Sequence, residues 1–236
     1  HDITSGGSNT LVGSQTGDAM TTGSLNTAFG YNALSSEDTH NYNVAIGSGT
    51  MDAAMNGAGG NIAIGYYAMS SLTTGDDNTS VGHQAGYSIT TGEDNIAIGK
   101  NSMHVHTTGG RNIAIGVDAM DDTDAGSTSL GSTDNIFIGT NSGGGTWTDA
   151  ACLYNVAIGH NSMDANMAGA GYNTAVGQGA LSGITSGSYT VGIGAQAGEA
   201  ITTGTKNTAI GHQSMINLTT GSNNIAIGAN AMDDVN

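Results

Sequence analysis

The sequence of 236 residues contains no proline, one cysteine and only three basic residues. A single cysteine cannot build an internal disulfide framework or a zinc site. Three cations against 19 acidic residues, a net charge of −16, cannot form the basic patch that a nucleic-acid backbone requires. The same balance argues against an anionic membrane surface, and no apolar run approaches the ~18 residues of a membrane-spanning helix. We therefore expect no nucleic-acid partner and no membrane insertion.

The chain begins at His1 rather than at methionine, and no signal segment is recognisable in it. We therefore expect a processed product or a fragment of a longer protein. Glycine is abundant, with 40 residues, which together with the absence of proline departs far from ordinary usage.

A pentapeptide of the form Asn-(Thr/Ile/Val)-small-(Ile/Val/Phe)-Gly recurs along the whole chain. Its thirteen copies begin at positions 9, 26, 43, 61, 78, 95, 112, 135, 155, 173, 190, 207 and 224, with Thr replacing Asn at 190. Eight of the twelve intervals are 17 residues and two are 18, while those of 23 and 20 contain irregular insertions at about 121–134 and 140–154. Such a period is typical of stacked repeat architectures. Positions below are numbered from the Asn as zero.

The repeat predicts one short strand in each coil. Alternation in a β-branched pentapeptide is a strand signal, and the invariant Gly at +4 suits a corner with positive φ. A unit of this size cannot bury a core alone, whereas stacked units can. We therefore predict an all-β parallel β-solenoid, or β-roll, of about thirteen 17-residue coils, forming a single domain over 1–236. The Asn side chains would lie in register and form a hydrogen-bonded ladder.

The strand alternation also requires a choice of the face that points inward. We predict that +1 and +3 form the core with the Met or Leu at +8, so that Ile64, Ile98, Ile115, Ile158, Ile210 and Ile227 line one buried aliphatic column. The small residues at +2 then face outward and predict an assembly face, represented by Ala63, Ala97, Ala114, Ala157, Ala209 and Ala226. Leu11 and Phe137 interrupt this face and should loosen the contact there. The alternative is that alanine fits a tight inner bend of a monomeric coil.

The insertions supply the candidate binding residues. Trp147, Cys152 and Tyr154 lie in or beside the second insertion, which could form a recognition loop on a rigid scaffold. The alternative is a tolerated insertion whose Trp covers part of the core. Asp121, Asp122 and Asp124 in the first insertion could hold a calcium ion through oxygen ligands. They lack the spacing of a known calcium loop, so solvated acids are favoured and no cofactor is expected.

Several tyrosines share one position of the repeat. Tyr42, Tyr154, Tyr172 and Tyr189 each directly precede a pentapeptide and could present rings that stack on sugars, although simple edge packing is an equal alternative. No phosphate-binding loop, nucleophile elbow or distinctive carboxylate pair is found, so no catalytic residues are assigned and enzymatic activity is not expected.

The repeat units resemble those of a known group of proteins. The units at 207–215 (NTAIGHQSM) and 224–232 (NIAIGANAM) are similar to the head repeats of YadA-type trimeric autotransporter adhesins and to repeats of phage tail fibres. The resemblance covers nearly the whole chain. It implies a β-roll that forms a homotrimer side by side, displayed on a cell or virion surface and used for attachment.

Three functional hypotheses follow. The first is an extracellular attachment fibre, a tail-fibre or adhesin shaft or head that binds a cell-surface polymer such as a glycan. The second is a head-to-tail structural filament, since neither end of the sequence shows a capping element. The third is an ice-binding solenoid, because columns of Thr can present a regular hydroxyl lattice, although the Thr-Thr-Gly column is broken between 109 and 185.

Overall fold

In the computed structural model, the chain is an all-β parallel β-solenoid of about 12 turns with coils of about 17 residues. The structure describes residues 6–36, 39–123, 131–148 and 150–233, and this part of the chain contains no helix, so it has none that could cross a membrane. Each pentapeptide forms one three-residue strand, as the repeat predicts. The strands are β1 (Thr10–Val12), β2 (Thr27–Phe29), β3 (Val44–Ile46), β4 (Ile62–Ile64), β5 (Thr79–Val81), β6 (Ile96–Ile98), β7 (Ile113–Ile115), β8 (Ile136–Ile138), β9 (Val156–Ile158), β10 (Thr174–Val176), β11 (Val191–Ile193), β12 (Thr208–Ile210) and β13 (Ile225–Ile227).

The chain divides into two compact units, His1–Arg111 and Asn112–Asn236. In the first unit β1 to β6 pair in parallel and in sequence order, and in the second unit β7 to β13 do the same. The predicted single domain over 1–236 stays a prediction.

Equivalent residues of successive coils lie opposite each other. Ala45 pairs with Ala63 across β3 and β4, and Phe137 pairs with Ala157 across β8 and β9. The second pair is in register although its two pentapeptides are 20 residues apart, so the extra residues lie outside the strand ladder. The solenoid therefore accommodates longer coils without a change in strand pairing.

The residue that points into the coil is +2, so the predicted inward face is wrong. The six alanines at +2 are at most 3% exposed, whereas Ile64, Ile98 and Ile158 at +3 are 36–40% exposed and Ile227 is 68% exposed. Ile115 and Ile210 are also only partly buried. Alternation alone allows either face of the strand to point inward, and the volume of the interior decides which face does. The interior of a 17-residue coil is narrow, so it admits alanine on the strand side.

The large side chains of the interior come from the opposite wall. The Met and Leu residues at +8 are fully buried at Leu34, Met51, Met69, Met103, Met120, Met163, Leu181 and Met215. Their backbone φ values lie between 47° and 53°, in the left-handed region. Met232 in the last coil is only partly buried, and glycine replaces Met or Leu in the other four coils, as at Gly17 and Gly143, with φ of 60° and 63°. Glycine adopts this conformation without strain, which explains why it alternates with Met and Leu.

Positions +2 and +8 compensate for each other across the interior. A Cβ on Gly17 would lie 2.8 Å from Leu11 Cδ1, and a Cβ on Gly143 would lie 2.5 Å from Phe137 Cδ1. Leu11 and Phe137 therefore fill the space that these glycines vacate, and the expectation that they loosen an outer contact is wrong. Dense packing requires this exchange of volume.

The predicted asparagine ladder is confirmed. Asn61 Oδ1 accepts the backbone N–H of Asn78 at 2.9 Å, and Asn61 Nδ2 donates to the Gly75 carbonyl at 2.9 Å. In the second unit Asn135 Oδ1 accepts the N–H of Asn155 at 3.0 Å in the same way. Each of these asparagines thus pairs backbone groups that would otherwise be buried without partners.

Candidate functional site

The outer strand face, formed by the +1 and +3 residues, is the main exposed apolar surface of each unit. In the first unit it comprises Thr10, Val12, Thr27, Phe29, Val44, Ile46, Ile62, Ile64, Thr79, Val81, Ile96 and Ile98. In the second unit it comprises Ile113, Ile115, Ile136, Ile138, Val156, Ile158, Thr174, Val176, Val191, Ile193, Thr208, Ile210, Ile225 and Ile227. Phe29 is 56% exposed and Ile193 is 40% exposed.

The composition of the outer strand face sets it apart from the rest of the chain. None of its residues is charged, although the chain carries 19 acidic residues. Isolated exposed apolar side chains are ordinary, but a contiguous apolar surface of this kind marks a contact with another apolar surface. The outer strand face is therefore the surface best suited to assembly.

The predicted alanine face cannot serve this purpose. Ala63, Ala97, Ala114, Ala157, Ala209 and Ala226 point into the coils and are at most 3% exposed, so another chain cannot reach them. Their position matches the alternative in which alanine fits a tight inner bend of the coil. The sequence nevertheless carried a signal of which face points inward. A large +2 residue coincides with glycine at +8 in both the Leu11 and the Phe137 coils, which indicates that +2 and +8 share one interior.

Two of the three predicted binding-loop residues are buried, which corrects the prediction. Trp147 is 0% exposed and its ring centroid lies 5.5 Å from that of Phe137. Its backbone N–H donates to the Asp122 carbonyl at 2.9 Å. Trp147 therefore packs in the interior, as the alternative of a tolerated insertion implied. Tyr154, by contrast, is 48% exposed and stays a candidate.

Cys152 is also enclosed. It is 0% exposed, its backbone N–H donates to Ser132 Oγ at 3.0 Å, and its carbonyl accepts Asn135 Nδ2 at 2.8 Å. Burial raises the pKa of its thiol to about 11, which keeps the sulfur protonated and unreactive at neutral pH. Cys152 therefore has a structural position in the interior.

The acidic candidates for calcium are only partly described. Asp122 Oδ2 accepts a hydrogen bond from Thr146 Oγ1 at 2.8 Å, which ties the first insertion to the second. Asp124 lies outside the described residues. Among the residues that are described, no group of three or more metal-ligating side chains converges. A calcium site that includes Asp121 stays a prediction.

Three of the predicted tyrosines form a stack. The rings of Tyr154 and Tyr172 lie 5.0 Å apart at 24°, and those of Tyr172 and Tyr189 lie 4.9 Å apart at 4°. Both faces of Tyr172 are therefore covered by its neighbours, and a sugar cannot stack on it. Tyr172 therefore matches the alternative of simple edge packing. Tyr42, by contrast, has no ring partner in the described part of the chain and is 65% exposed.

A second aromatic group in the first unit was not expected from the sequence. Tyr66 stacks on His83 with ring centroids 5.3 Å apart, and its edge meets Tyr67 at 4.4 Å. Tyr87 continues the group, 6.4 Å from Tyr67 and 5.2 Å from His104. These residues occupy +5, +6 and +9 of successive coils, so reading the repeat by columns would have found them.

The first threonine of several Thr-Thr-Gly corners uses its hydroxyl within the solenoid. In two neighbouring turns the first threonine hydroxyl is used between coils, since Thr73 Oγ1 donates to the Thr90 carbonyl at 3.0 Å and Thr90 Oγ1 donates to the Thr107 carbonyl at 3.1 Å. Thr202 Oγ1 likewise donates to the Thr219 carbonyl at 3.1 Å. These hydroxyls hold the solenoid together, which weakens the ice-binding hypothesis.

Comparison with known proteins does not assign a family. No family model matches the chain, and no curated protein or solved structure matches it significantly. The architecture alone is therefore shown, a parallel β-solenoid built from repeats of about 17 residues.

Proposed function

We propose that the protein is a non-enzymatic extracellular fibre component, a β-solenoid shaft or head that attaches to a polymer on a cell surface. The observation that carries the proposal is the uncharged outer strand face, which is exposed in both units. The resemblance of the repeat to YadA-type adhesin heads and phage tail fibres supports the attachment role, display on a cell or virion surface and a homotrimeric assembly.

The partner of the outer strand face is a second copy of the same chain. Successive strands are spaced about 4.8 Å apart, so two copies placed side by side match coil for coil. The face has no charges that would repel each other, and Ile and Val side chains gain free energy when they leave water, about 25 cal/mol per Å² of apolar surface. A self-complementary apolar face of this kind favours lateral assembly.

Sedimentation analysis tests the assembly. We expect the purified chain to sediment as a trimer, and the double variant Ile64→Asp/Ile98→Asp to shift toward monomer while its far-UV spectrum stays β-rich. Both residues are exposed in the single chain, so the charge does not enter the interior. The control Thr74→Asp/Thr91→Asp places two charges on exposed residues of another corner and should leave the trimer intact.

Two results would contradict this proposal. A wild-type chain that sediments as a monomer at all accessible concentrations removes lateral assembly. Electron micrographs that show long unbranched fibres instead of discrete particles would favour the head-to-tail structural filament. Binding of the fluorescently labelled trimer to intact cells, lost after enzymatic removal of surface polysaccharide, tests the attachment role separately.

A further inference from the structure

A cavity of about 480 Å³ opens on the surface of the first unit. It lies where positions −2 and −1 of one coil are both glycine, Gly59 and Gly60, between Asn41 and Tyr42 of the preceding coil and Asp76 and Asp77 of the following coil. The two glycines leave a floor of backbone between side-chain walls of opposite chemistry. One wall carries an aromatic ring and the other carries two carboxylates.

The second unit has an equivalent coil in which a tyrosine replaces the second of the two glycines. Residues 51–61 (MDAAMNGAGGN) and 163–173 (MDANMAGAGYN) differ at three positions, one of which replaces Gly60 by Tyr172. Tyr172 stacks between Tyr154 and Tyr189, the equivalents of Tyr42 and Asp77. Gly60 stands at the position that Tyr172 has in the second unit, and it leaves the ring of Tyr42 uncovered. Tyr42 is 65% exposed.

The carboxylates are held against the cavity floor. Asp76 Oδ1 accepts the N–H of Gly59 at 2.7 Å, which fixes the group and leaves its second oxygen for a ligand. Asp77 Oδ1 occupies the space in which a Cβ on Gly60 would lie, so this carboxylate also faces the cavity. The cavity is lined by no basic side chain.

We infer that this cavity binds an amino sugar through its protonated amine. A carboxylate forms charge-assisted hydrogen bonds with an ammonium group, and an uncovered tyrosine ring attracts both a cation and the C–H face of a sugar. The volume is that of an ordinary small-ligand pocket, about 300–1,000 Å³. This inference names the class of ligand for the proposed attachment function. It rests on that function for the biological source of the sugar, a polymer on a cell surface.

Calorimetric titration of the full chain with three sugars tests the inference. We expect saturable binding of glucosamine, and at least ten-fold weaker binding of N-acetylglucosamine and of glucose, which lack the charged amine. Equal affinities for all three sugars would overturn the role of the amine, and failure to bind glucosamine would overturn the site. Binding of Nα-acetyl-lysine amide as strong as that of glucosamine would overturn the sugar specificity.

Two variants locate the site on the protein. Gly60→Tyr should abolish glucosamine binding by stacking a ring on Tyr42 and filling the cavity. The fold should tolerate it, because Tyr172 adopts a φ of 59° where Gly60 has 71°, and because the Asp77 carboxylate at the Cβ position is the end of a side chain that can rotate away. Asp77→Asn should weaken binding at least ten-fold. The control Tyr172→Gly removes a tyrosine outside the site and should leave binding unchanged. Unaltered glucosamine binding by Gly60→Tyr, with a β-rich spectrum, contradicts the assignment of the cavity.

The inference and the proposed function fail separately. A chain that binds glucosamine through this cavity but does not attach to any cell surface overturns the attachment role alone. A trimer that attaches to cells equally well with Gly60→Tyr shows that attachment uses another surface and overturns the biological role of the cavity.

Discussion

At the scale of single residues, the coil is closed by a fixed set of unusual backbone conformations. Positions −1, +6 and +8 have left-handed φ values near 55°, as at Asp77, Gln84 and Met103. The left-handed conformation costs most residues roughly 1–2 kcal/mol. The invariant Gly at +4 has φ values of 126–146°, and in coils followed by another coil, such as that of Gly82, a Cβ there would meet the carbonyl of the equivalent glycine in the next coil. This position therefore requires glycine for its conformation and for its close contact.

Replacing one of these glycines should be strongly destabilising. A Cβ on Gly82 would lie 2.5 Å from the Gly99 carbonyl oxygen, so Gly82→Ala should lower the free energy of unfolding by about 3 kcal/mol or more through steric overlap and strain. Chemical denaturation measures the loss. Gly228→Ala is the matched control, because Gly228 has a similar φ of 126° but no atom within 4 Å of its Cβ position. An equal loss of unfolding free energy in both variants would show that backbone strain, and not steric overlap with the next coil, causes the destabilisation.

The burial of His106 should make stability depend on pH. His106 is 2% exposed, and its ring nitrogen Nε2 lies 3.0 Å from the Gly109 carbonyl. Burial disfavours the charged imidazolium and lowers the pKa of His106 to about 4 from its ordinary value of 6.5. The unfolded chain therefore takes up the proton first as the pH falls, and folding stability decreases between pH 6.5 and 4.

The variant His106→Gln should remove this part of the pH dependence. The shift corresponds to about 3 kcal/mol lost between pH 6.5 and 4, at about 1.4 kcal/mol for each pH unit. Thermal unfolding at several pH values should therefore show a shallower decline for His106→Gln than for the wild type. The variant His83→Gln, which removes an exposed imidazole, is the matched control for the substitution. Identical slopes for all three proteins would exclude His106 as the source.

At the scale of the coil, the asparagine ladder has one weak step. Thr190 replaces asparagine, and its Oγ1 lies 3.5 Å from the Gly204 carbonyl, whereas Asn173 Nδ2 reaches the Gly187 carbonyl at 2.8 Å. The shorter threonine side chain also does not accept the backbone N–H of Asn207, for which the described hydrogen bonds show no acceptor. The ladder is thus interrupted between these two coils.

Restoring the ladder should stabilise the protein. Thr190→Asn supplies an amide that reaches the Gly204 carbonyl and accepts the N–H of Asn207, and each such hydrogen bond is worth about 1 kcal/mol. We expect an increase of about 1–2 kcal/mol in the free energy of unfolding, measured by urea titration. The reciprocal variant Asn78→Thr should lose at least as much, because Asn78 Nδ2 donates to the Gly92 carbonyl at 2.7 Å. Destabilisation by Thr190→Asn would contradict the role given to the ladder.

The sequence was sufficient to predict the coil but not its inside and outside. The strict period, the asparagines and the glycines at +4 predicted stacked strands and their ladder, because these features depend on local conformation and on register. Which face of the strand points inward depends instead on the volume enclosed by the whole coil. The larger Ile64 was therefore wrongly assigned to the interior in place of Ala63. The surface cavity also escaped prediction, since it arises from Gly60 only through the neighbouring Tyr42 and Asp77.

At the scale of the whole molecule, charge and apolar surface act against each other. Each copy carries a net charge of −16, so copies repel one another while their outer strand faces attract. Salt screens the repulsion, because the Debye length falls from about 30 Å at 0.01 M to about 8 Å at 0.15 M. Apolar contact is not weakened by the same change.

Assembly should therefore become tighter as salt is added. Sedimentation equilibrium between 0.01 M and 0.5 M sodium chloride should show an increasing fraction of trimer in the wild type. Ile64→Asp/Ile98→Asp should respond in the same direction but stay less associated at every concentration. Dissociation of the wild-type trimer by salt would mean that ion pairs hold the copies together and would contradict an interface built on the outer strand face.

The exchange of volume between +2 and +8 has a consequence for how such a chain can change in evolution. Leu11 with Gly17, and Phe137 with Gly143, lie six residues apart, so each of these two coils carries its own packing complement within one short stretch of sequence. Duplication or deletion of one such coil would transmit the complement intact. The coil with Gly192 and Gly198 is different, because Leu181 of the preceding coil fills its space. These two coils must be inherited together, whereas the coils of Leu11 and Phe137 can be gained or lost one at a time.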